Sequence, residues 1–371
     1  MLNRRNGHSR SVASSDANSV QRSGGPVLIT GGSGFIGTNL AHRLLSQGRS
    51  VTILDDLSRA GVDQNAIWLQ QKFGRKVRIV VGDVRNYDDV LRAMKDAEQI
   101  FHFAAQVAVT TSMVDPRTDF DINVGGTLNV LEAARTMATP PPLVYTSTNK
   151  VYGGLEDVPL EASGKRYQPV DSKLRDSGVS EARSLDFHTP YGCSKGAAEQ
   201  YVLDYARSFG MSAVVFRMSC IYGPHQFGTE DQGWVAHFLI RANEGKPITL
   251  YGDGMQVRDI LFVEDLVDAF LAAQEHMPKI SGQAFNIGGG PERTTSLLEL
   301  VDTIWHLRGQ KPRLYFEPSR TGDQRYYVSD TSKFREATGW QPRVCARDGV
   351  RRLFDWLVES RRVVTEELAA S

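Results

Sequence analysis

Cysteine is scarce in this chain. Only Cys193, Cys220 and Cys345 occur among 371 residues, an odd and scattered set that builds neither a disulfide framework nor a zinc-ligand spacing. The expectation is a reduced, cytoplasmic protein with no metal centre. An excess of either charge is lacking too: 43 Lys and Arg stand against 43 Asp and Glu, a formal net charge of zero. Broad nucleic-acid or membrane-surface binding draws on basic excess, so neither is an expected partner and a small molecule is. Long apolar runs are also missing. None approaches the roughly 18–20 residues that span a bilayer, and the N-terminus has no signal-peptide core. Residues 1–25, rich in Ser, Arg, Asn and Gly, hold too few apolar groups to offset the entropy of ordering and read as a disordered tail. Residues 361–371 read as a second tail.

What is present is an alternation of short apolar runs with helical segments. Runs at 27–30, 50–55, 77–83, 99–105, 143–148 and 212–219 are separated by helical patterns that include 88–97, 122–137 and 189–209. Nearly all-apolar strands alternating with helices predict an α/β fold built on a doubly wound parallel sheet covered on both faces. Residues 154–189 interrupt the rhythm as an insertion, and a loop that long is usually functional. After residue 220 the pattern loosens into Gly-rich turns, with helices near 295–308 and 348–358. The division expected is a nucleotide-binding domain over 26–219 and a smaller, mixed C-terminal substrate lobe over 220–360. Part of 259–290 is expected to return to the first domain.

The first strand runs directly into TGGSGFIG, placing Gly31, Gly34 and Gly37 at the start of a helix. Glycines there permit a tight turn, close approach of backbone to a pyrophosphate and tight packing of helix on strand, while the helix N-terminus offers amides to phosphate. Asp55 ends the next strand about 20 residues on, where a carboxylate accepts hydrogen bonds from an adenosine ribose. This is a Rossmann pattern. A carboxylate repels a 2′-phosphate, so NAD is the cofactor read, although Arg59 nearby would suit NADP. Asp83 and Val84 follow the third strand, where an adenine would sit, and FHFAAQ follows the fourth.

Tyr191 and Lys195 form a YxxxK pair on one helix face. An adjacent ammonium favours the phenolate of an otherwise weak base, so the pair suits proton transfer to and from a sugar hydroxyl. Thr148, at the end of the fifth strand, reaches the same carboxyl edge of the sheet with a hydroxyl for the reacting oxygen.

TGGSGFIG, Asp55, TSTNKVYG (146–153), PYGCSK (190–195), CIYGP (220–224), QVRDILFVEDL (256–266) and FNIGG (285–289) together resemble the extended short-chain dehydrogenase/reductase family of NAD-dependent nucleotide-sugar epimerases and dehydratases. The likeness covers about residues 26–358. It implies that Tyr191 is the catalytic acid and base, that Lys195 holds the nicotinamide ribose, and that Thr148 is the hydroxyl partner. It adds Phe35, Ile36, Ala104, Ala105, Gln106 and Asn123 to the cofactor site. Arg258 and Arg320 fall at positions that grip a diphosphate, as guanidinium forks are suited to do, and Arg325 falls close by. Asn149, Lys150, Cys220 and Val235 are implied sugar contacts. A homodimer or homotetramer is the implied assembly.

The departures sort the reaction. Family dehydratases carry an Asp-Glu pair after the threonine; here Asn149 and Lys150 stand there, and neither is a carboxylic acid. TSTNKVYG, LDFHTPYGCSKGAAEQYVLDYAR, DQGWV and GDQRYYVSD are similar to the members that epimerise C2 of a CDP-linked hexose. The expected activity is therefore an NAD-dependent nucleotide-sugar 2-epimerase. A 4-epimerase of the same family is the alternative, and a noncatalytic dinucleotide sensor is the reading from another class.

Overall fold

The computed structural model describes residues 24–370, with side chains as far as residue 360. The tail read over 1–25 therefore lies almost wholly outside the described residues. The strands are β1 Val27–Thr30, β2 Val51–Asp55, β3 Val77–Val81, β4 Gln99–His102, β5 Leu143–Thr148, β6 Leu160–Ser163, β7 Arg166–Pro169, β8 Ala213–Met218, β9 Cys220–Tyr222, β10 Ile248–Tyr251, β11 Val257–Phe262, β12 Gln283–Ile287, β13 Thr294–Ser296, β14 Leu314–Glu317 and β15 Tyr326–Tyr327. Seven form one sheet in the order β12-β8-β5-β4-β1-β2-β3, parallel throughout. This is the doubly wound α/β fold expected.

Every residue of β1, β2 and β5 is buried, as strands covered by helices on both faces must be. One face packs Ile29, Val144 and Phe216 against Leu40 and Leu44 of α1 (Phe35–Ser46) and Phe270. The other packs Leu28, Ile100 and Tyr145 against Val130, Leu131 and Val202. Chain order reverses between β1 and β4, which opens a crevice at their carboxyl ends.

The C-terminal part builds smaller sheets: β13-β11-β15 with β9 alongside β11, and the pair β10-β14. Strand β12 joins the edge of the main sheet beside β8. The insertion is more regular than its composition suggests. Its hairpin β6-β7 is tied to the lobe by Arg166, whose guanidinium holds the Glu299 carboxylate at 2.6 and 2.8 Å, and by Tyr167 N–H donating to Met255 O. The helix read at 122–137 opens with a π-helical turn Asp121–Gly125 and continues as a helix Gly126–Arg135, and a short helix α2 (Pro116–Phe120) precedes it. The helix Ala346–Ala370 runs on through the residues read as a C-terminal tail. Among the described residues no helix is long and apolar enough to cross a membrane.

Candidate active site

The turn after β1 is shaped by glycine. Gly31 has φ +67°, and a Cβ there would lie 2.7 Å from Ala104 N; a Cβ on Gly37 would lie 2.5 Å from Gly31 O. Both positions are closed to side chains by backbone. Gly34 differs: its added Cβ meets only Gly31 O, at 3.2 Å, because it faces an open cleft. No side chain caps the N-terminus of α1, so its first amides remain available to an anion. Asp55 braces the turn, accepting Ser33 N–H at 2.9 Å and Leu57 N–H at 3.0 Å while lining the cleft. Burial raises its pKa and these backbone bonds oppose the rise. Each oxygen retains lone-pair capacity for a hydroxyl donor. An open, uncapped helix start with a carboxylate beside it fits the diphosphate and ribose of NAD.

The cleft has a volume of about 630 Å³. Gly31, Gly34, Phe35, Ile36, Gly37 and Asp55 line one side, continued by Asp83, Val84, Ala104, Ala105 and Gln106. Thr148, Asn149, Lys150, Tyr191 and Lys195 line another, and Cys220 and Val235 close it. Asp83 is paired with Arg85, which lowers its pKa.

Four expected site residues lie elsewhere. Asn123 is buried behind the wall, on the π-helical turn; it accepts Gln106 N–H at 2.9 Å and donates to Ser194 Oγ at 2.9 Å, so it shapes the wall from behind. Arg258 is held by the Asp323 carboxylate at 2.7 Å behind the Lys150 end of the cleft. Arg320 lies 3.6 Å over the Tyr251 ring and pairs with Glu230 and Asp231, the latter a lining residue. Arg325 stacks on Tyr167 of the hairpin at 4.0 Å and lines a separate cavity of about 320 Å³. The insertion draws it there.

Tyr191 and Lys195 stand on α3 (Thr189–Phe209), which opens with Thr189 at φ +64° followed by Pro190. Thr148 ends β5 and caps the following turn, accepting Lys150 N–H at 3.2 Å. Burial pushes the Tyr191 hydroxyl up to about 12, while hydrogen bonding with Thr148 and the charge of Arg59 oppose it. Lys195 follows Tyr191 by one turn on the same face of the helix. Its ammonium lies 4.3 Å over the Tyr145 ring, in the field of Glu199 and Asp119; burial still takes it down to about 7. Lys150 Nζ donates to Gly322 O at 2.9 Å, and burial with Arg258 nearby lowers it to about 8. Asn149 donates to Gln324 Oε1 at 3.2 Å. Burial raises the Cys220 thiol, which accepts Trp234 Nε1–H at 3.4 Å.

Gln226, Phe227, Trp234 and the guanidinium-bearing Arg59 also line the cleft. Only the aromatic and Gly-Pro character of CIYGPHQF and DQGWV hinted at the first three. Gln226 Oε1 is buried without a protein partner in the wall of the cleft.

Comparison with known proteins accords with this geometry. A family model described as the NAD dependent epimerase/dehydratase family matches residues 27–288. CDP-paratose 2-epimerase of Salmonella typhi is 47% identical over 337 residues, covering 89% of this chain and 98% of that protein. A putative UDP-glucose 4-epimerase of Methanocaldococcus jannaschii is 31% identical, covering 91% and 99%. UDP-glucuronic acid 4-epimerase from Bacillus cereus, solved with UDP-glucuronic acid and NAD, superposes with a TM-score of 0.77 at 27% identity, over 90% of this chain and 99% of that one. The chain belongs to the NAD-dependent epimerase/dehydratase family.

Proposed function

We propose that this enzyme inverts C2 of the hexose in a nucleotide sugar, with a CDP-linked sugar as substrate. The observation that carries the reading is the convergence of Thr148, Tyr191 and Lys195 on one cleft with Asn149 and Lys150, where a water-eliminating acid pair would otherwise stand. The 47% identity to a CDP-paratose 2-epimerase supports both the carbon and the base.

C2 of such a sugar has no carbonyl beside it, so direct proton removal is ruled out by acidity and transient oxidation is the available route. Gly34, Phe35, Ile36 and Asp55 would hold NAD, which would supply the reversible hydride acceptor that oxidation at C2 requires. Tyr191 takes the hydroxyl proton and gives it back, with Thr148 hydrogen-bonded to the same oxygen. Lys195, which lines the same cleft, would hold the cofactor ribose. Lys150 and Asn149 donate hydrogen bonds to sugar oxygens, and Lys150 with Arg258 brings positive charge to the diphosphate. Arg320 at the rim completes the grip on leaving Glu230 and Asp231. Apolar Val235 and half-buried Cys220 keep water from the keto sugar while it turns.

The assembly proposed is a homodimer. Met113, Val114 and Phe120 near α2, with Tyr201 and Phe209 on α3, are exposed apolar groups on neighbouring helices. Three unpaired cysteines suit the cytoplasm.

The test supplies CDP- and UDP-hexoses in deuterated water and follows products by proton NMR. Inversion at C2 without deuterium on carbon is expected. Inversion at C4 alone would replace this reading with a 4-epimerase, and deuterium at C2 would replace the oxidation route with enolisation.

A further inference from the structure

Glu199 lies one helical turn beyond Lys195 on α3, so the two side chains share a face of the helix. Its carboxylate is fully buried. Ser147 Oγ donates to Oε2 at 2.7 Å, and Arg217 Nη2 donates to Oε1 at 2.7 Å, with Arg217 Nε reaching both oxygens. Arg217 also donates to the Tyr152 hydroxyl at 3.0 Å, which donates to Asn286 Oδ1 at 2.7 Å. Ser147 immediately precedes Thr148, and Arg217 lies opposite Ser147 in the β5·β8 register. One carboxylate thus joins α3 to the carboxyl ends of two central strands. A buried ion pair is by itself weak evidence of a stabilising purpose, since apolar residues of equal volume often serve as well. Its place beneath the reacting groups is what distinguishes this one.

We infer that Glu199 is a positioning residue of this site: it fixes Ser147, and through it Thr148, under the cleft, and from the helix face it shares with Lys195 it favours the charged form of that lysine. The inference rests on the reading in which Thr148, Tyr191 and Lys195 face the reaction. Lys195 is surrounded by Tyr191 and Glu199 from its own helix, Asp119 from α2, His102 from β4 and the Tyr145 ring from β5, with Arg217 of β8 beyond Glu199. Burial keeps His102 neutral, down to about 3, and keeps the Tyr145 hydroxyl protonated. Of the two carboxylates, Asp119 is occupied by Ser194 and Asn123 and its own pKa is raised by burial. Glu199 is the larger influence opposing the desolvation of Lys195.

The experiment follows the Lys195 side-chain nitrogen by NMR in lysine-labelled protein as pH is varied, with Lys195→Met to assign the signal. Glu199→Gln is expected to lower the titration midpoint by about one pH unit. Glu199→Asp, which keeps a charge for Arg217 should the glutamine variant not fold, moves it the same way by less. The alkaline limb of kcat follows the same shift, whereas Ser147→Ala lowers kcat and leaves the midpoint in place. A midpoint unmoved in the Glu199 variants overturns the inference whatever the substrate proves to be. A moved midpoint with an unmoved rate profile upholds the electrostatic role and counts instead against the part given to Lys195 in the reaction.

Discussion

Two lysines in one cleft are both desolvated, and their surroundings answer it differently. Lys195 has Glu199 and Asp119 in its field, whereas Lys150 has Gly322 O as its hydrogen-bond acceptor, with repulsion from Arg258 set against attraction from Asp323. A desolvated ammonium whose carboxylate neighbour, Asp323, is already engaged by Arg258 is poised to accept an anionic or hydroxylic ligand, because binding supplies what the protein withholds. Lys150→Met keeps the length of the side chain and removes the charge. It is expected to raise KM for the nucleotide sugar and to lower kcat/KM about tenfold or more, the scale of a lost hydrogen bond to a charged group, while the NAD content of the purified protein stays at the parent level. Steady-state kinetics beside cofactor release on denaturation checks both halves. A drop in kcat with KM unchanged would mean that Lys150 acts only at the transition state. The type of this residue was legible in the sequence as a departure from the dehydratase acid pair; its repulsion by Arg258 was not, because the two lie on separate strand ends that only the fold brings together.

The strand-turn-helix unit β1-α1 separates two demands that the glycine spacing presents as one. At Gly37 an added methyl would lie 2.5 Å from Gly32 Cα, so Gly37→Ala must push α1 away from β1. At Gly34 the backbone is extended, with φ −66°, and an added methyl faces the cleft. Gly37→Ala is accordingly expected to lose about 1–3 kcal/mol of stability, the usual range for overpacking, and to lose NAD with it. Gly34→Ala is expected to melt near the parent temperature when free of cofactor, yet to bind NAD more weakly. Denaturant unfolding of cofactor-free protein, paired with NAD titration, separates the two. Such local units are what a sequence displays well: the glycine spacing, Asp55, YxxxK and Thr148 all follow from elements whose periods and turns are short-range. The rest of the cleft was opaque because tertiary contacts decide it. A π-helical turn withdraws Asn123 behind the wall, the insertion hairpin takes Arg325 away through Tyr167, and Gln226, Phe227 and Trp234 enter on segments with no strong period of their own.

A chain of zero formal charge still concentrates ionisable groups where burial shifts them, and the whole molecule then acquires a pH dependence that its totals hide. His102 and His225 are pushed down to about 3 and about 4, and Lys195 and Lys150 to about 7 and about 8. In each case the unfolded chain, with His near 6.5 and Lys near 10.4, binds more protons than the folded one, so stability rises with pH across both windows. For the histidines the gain is complete near pH 6.5. For the lysines the cost of a buried ammonium is full below about 7 and fades toward 10.4. Buried Asp55, Asp119 and Asp259, whose pKa values are raised, act oppositely on the acid side, and Tyr191 and Tyr152, pushed up to about 12, act oppositely above pH 10. The cofactor-free protein is therefore expected to melt at a higher temperature at pH 9 than at pH 7. Lys195→Met and Lys150→Met should each raise the melting temperature more at pH 7 than at pH 9, flattening the slope. A double variant with the parent slope would show that these two ammonium groups do not set it. Adding CDP to the parent should flatten it in the same direction: a diphosphate beside Lys150 raises that lysine's folded pKa toward its unfolded value and so removes part of the difference in bound protons that generates the slope.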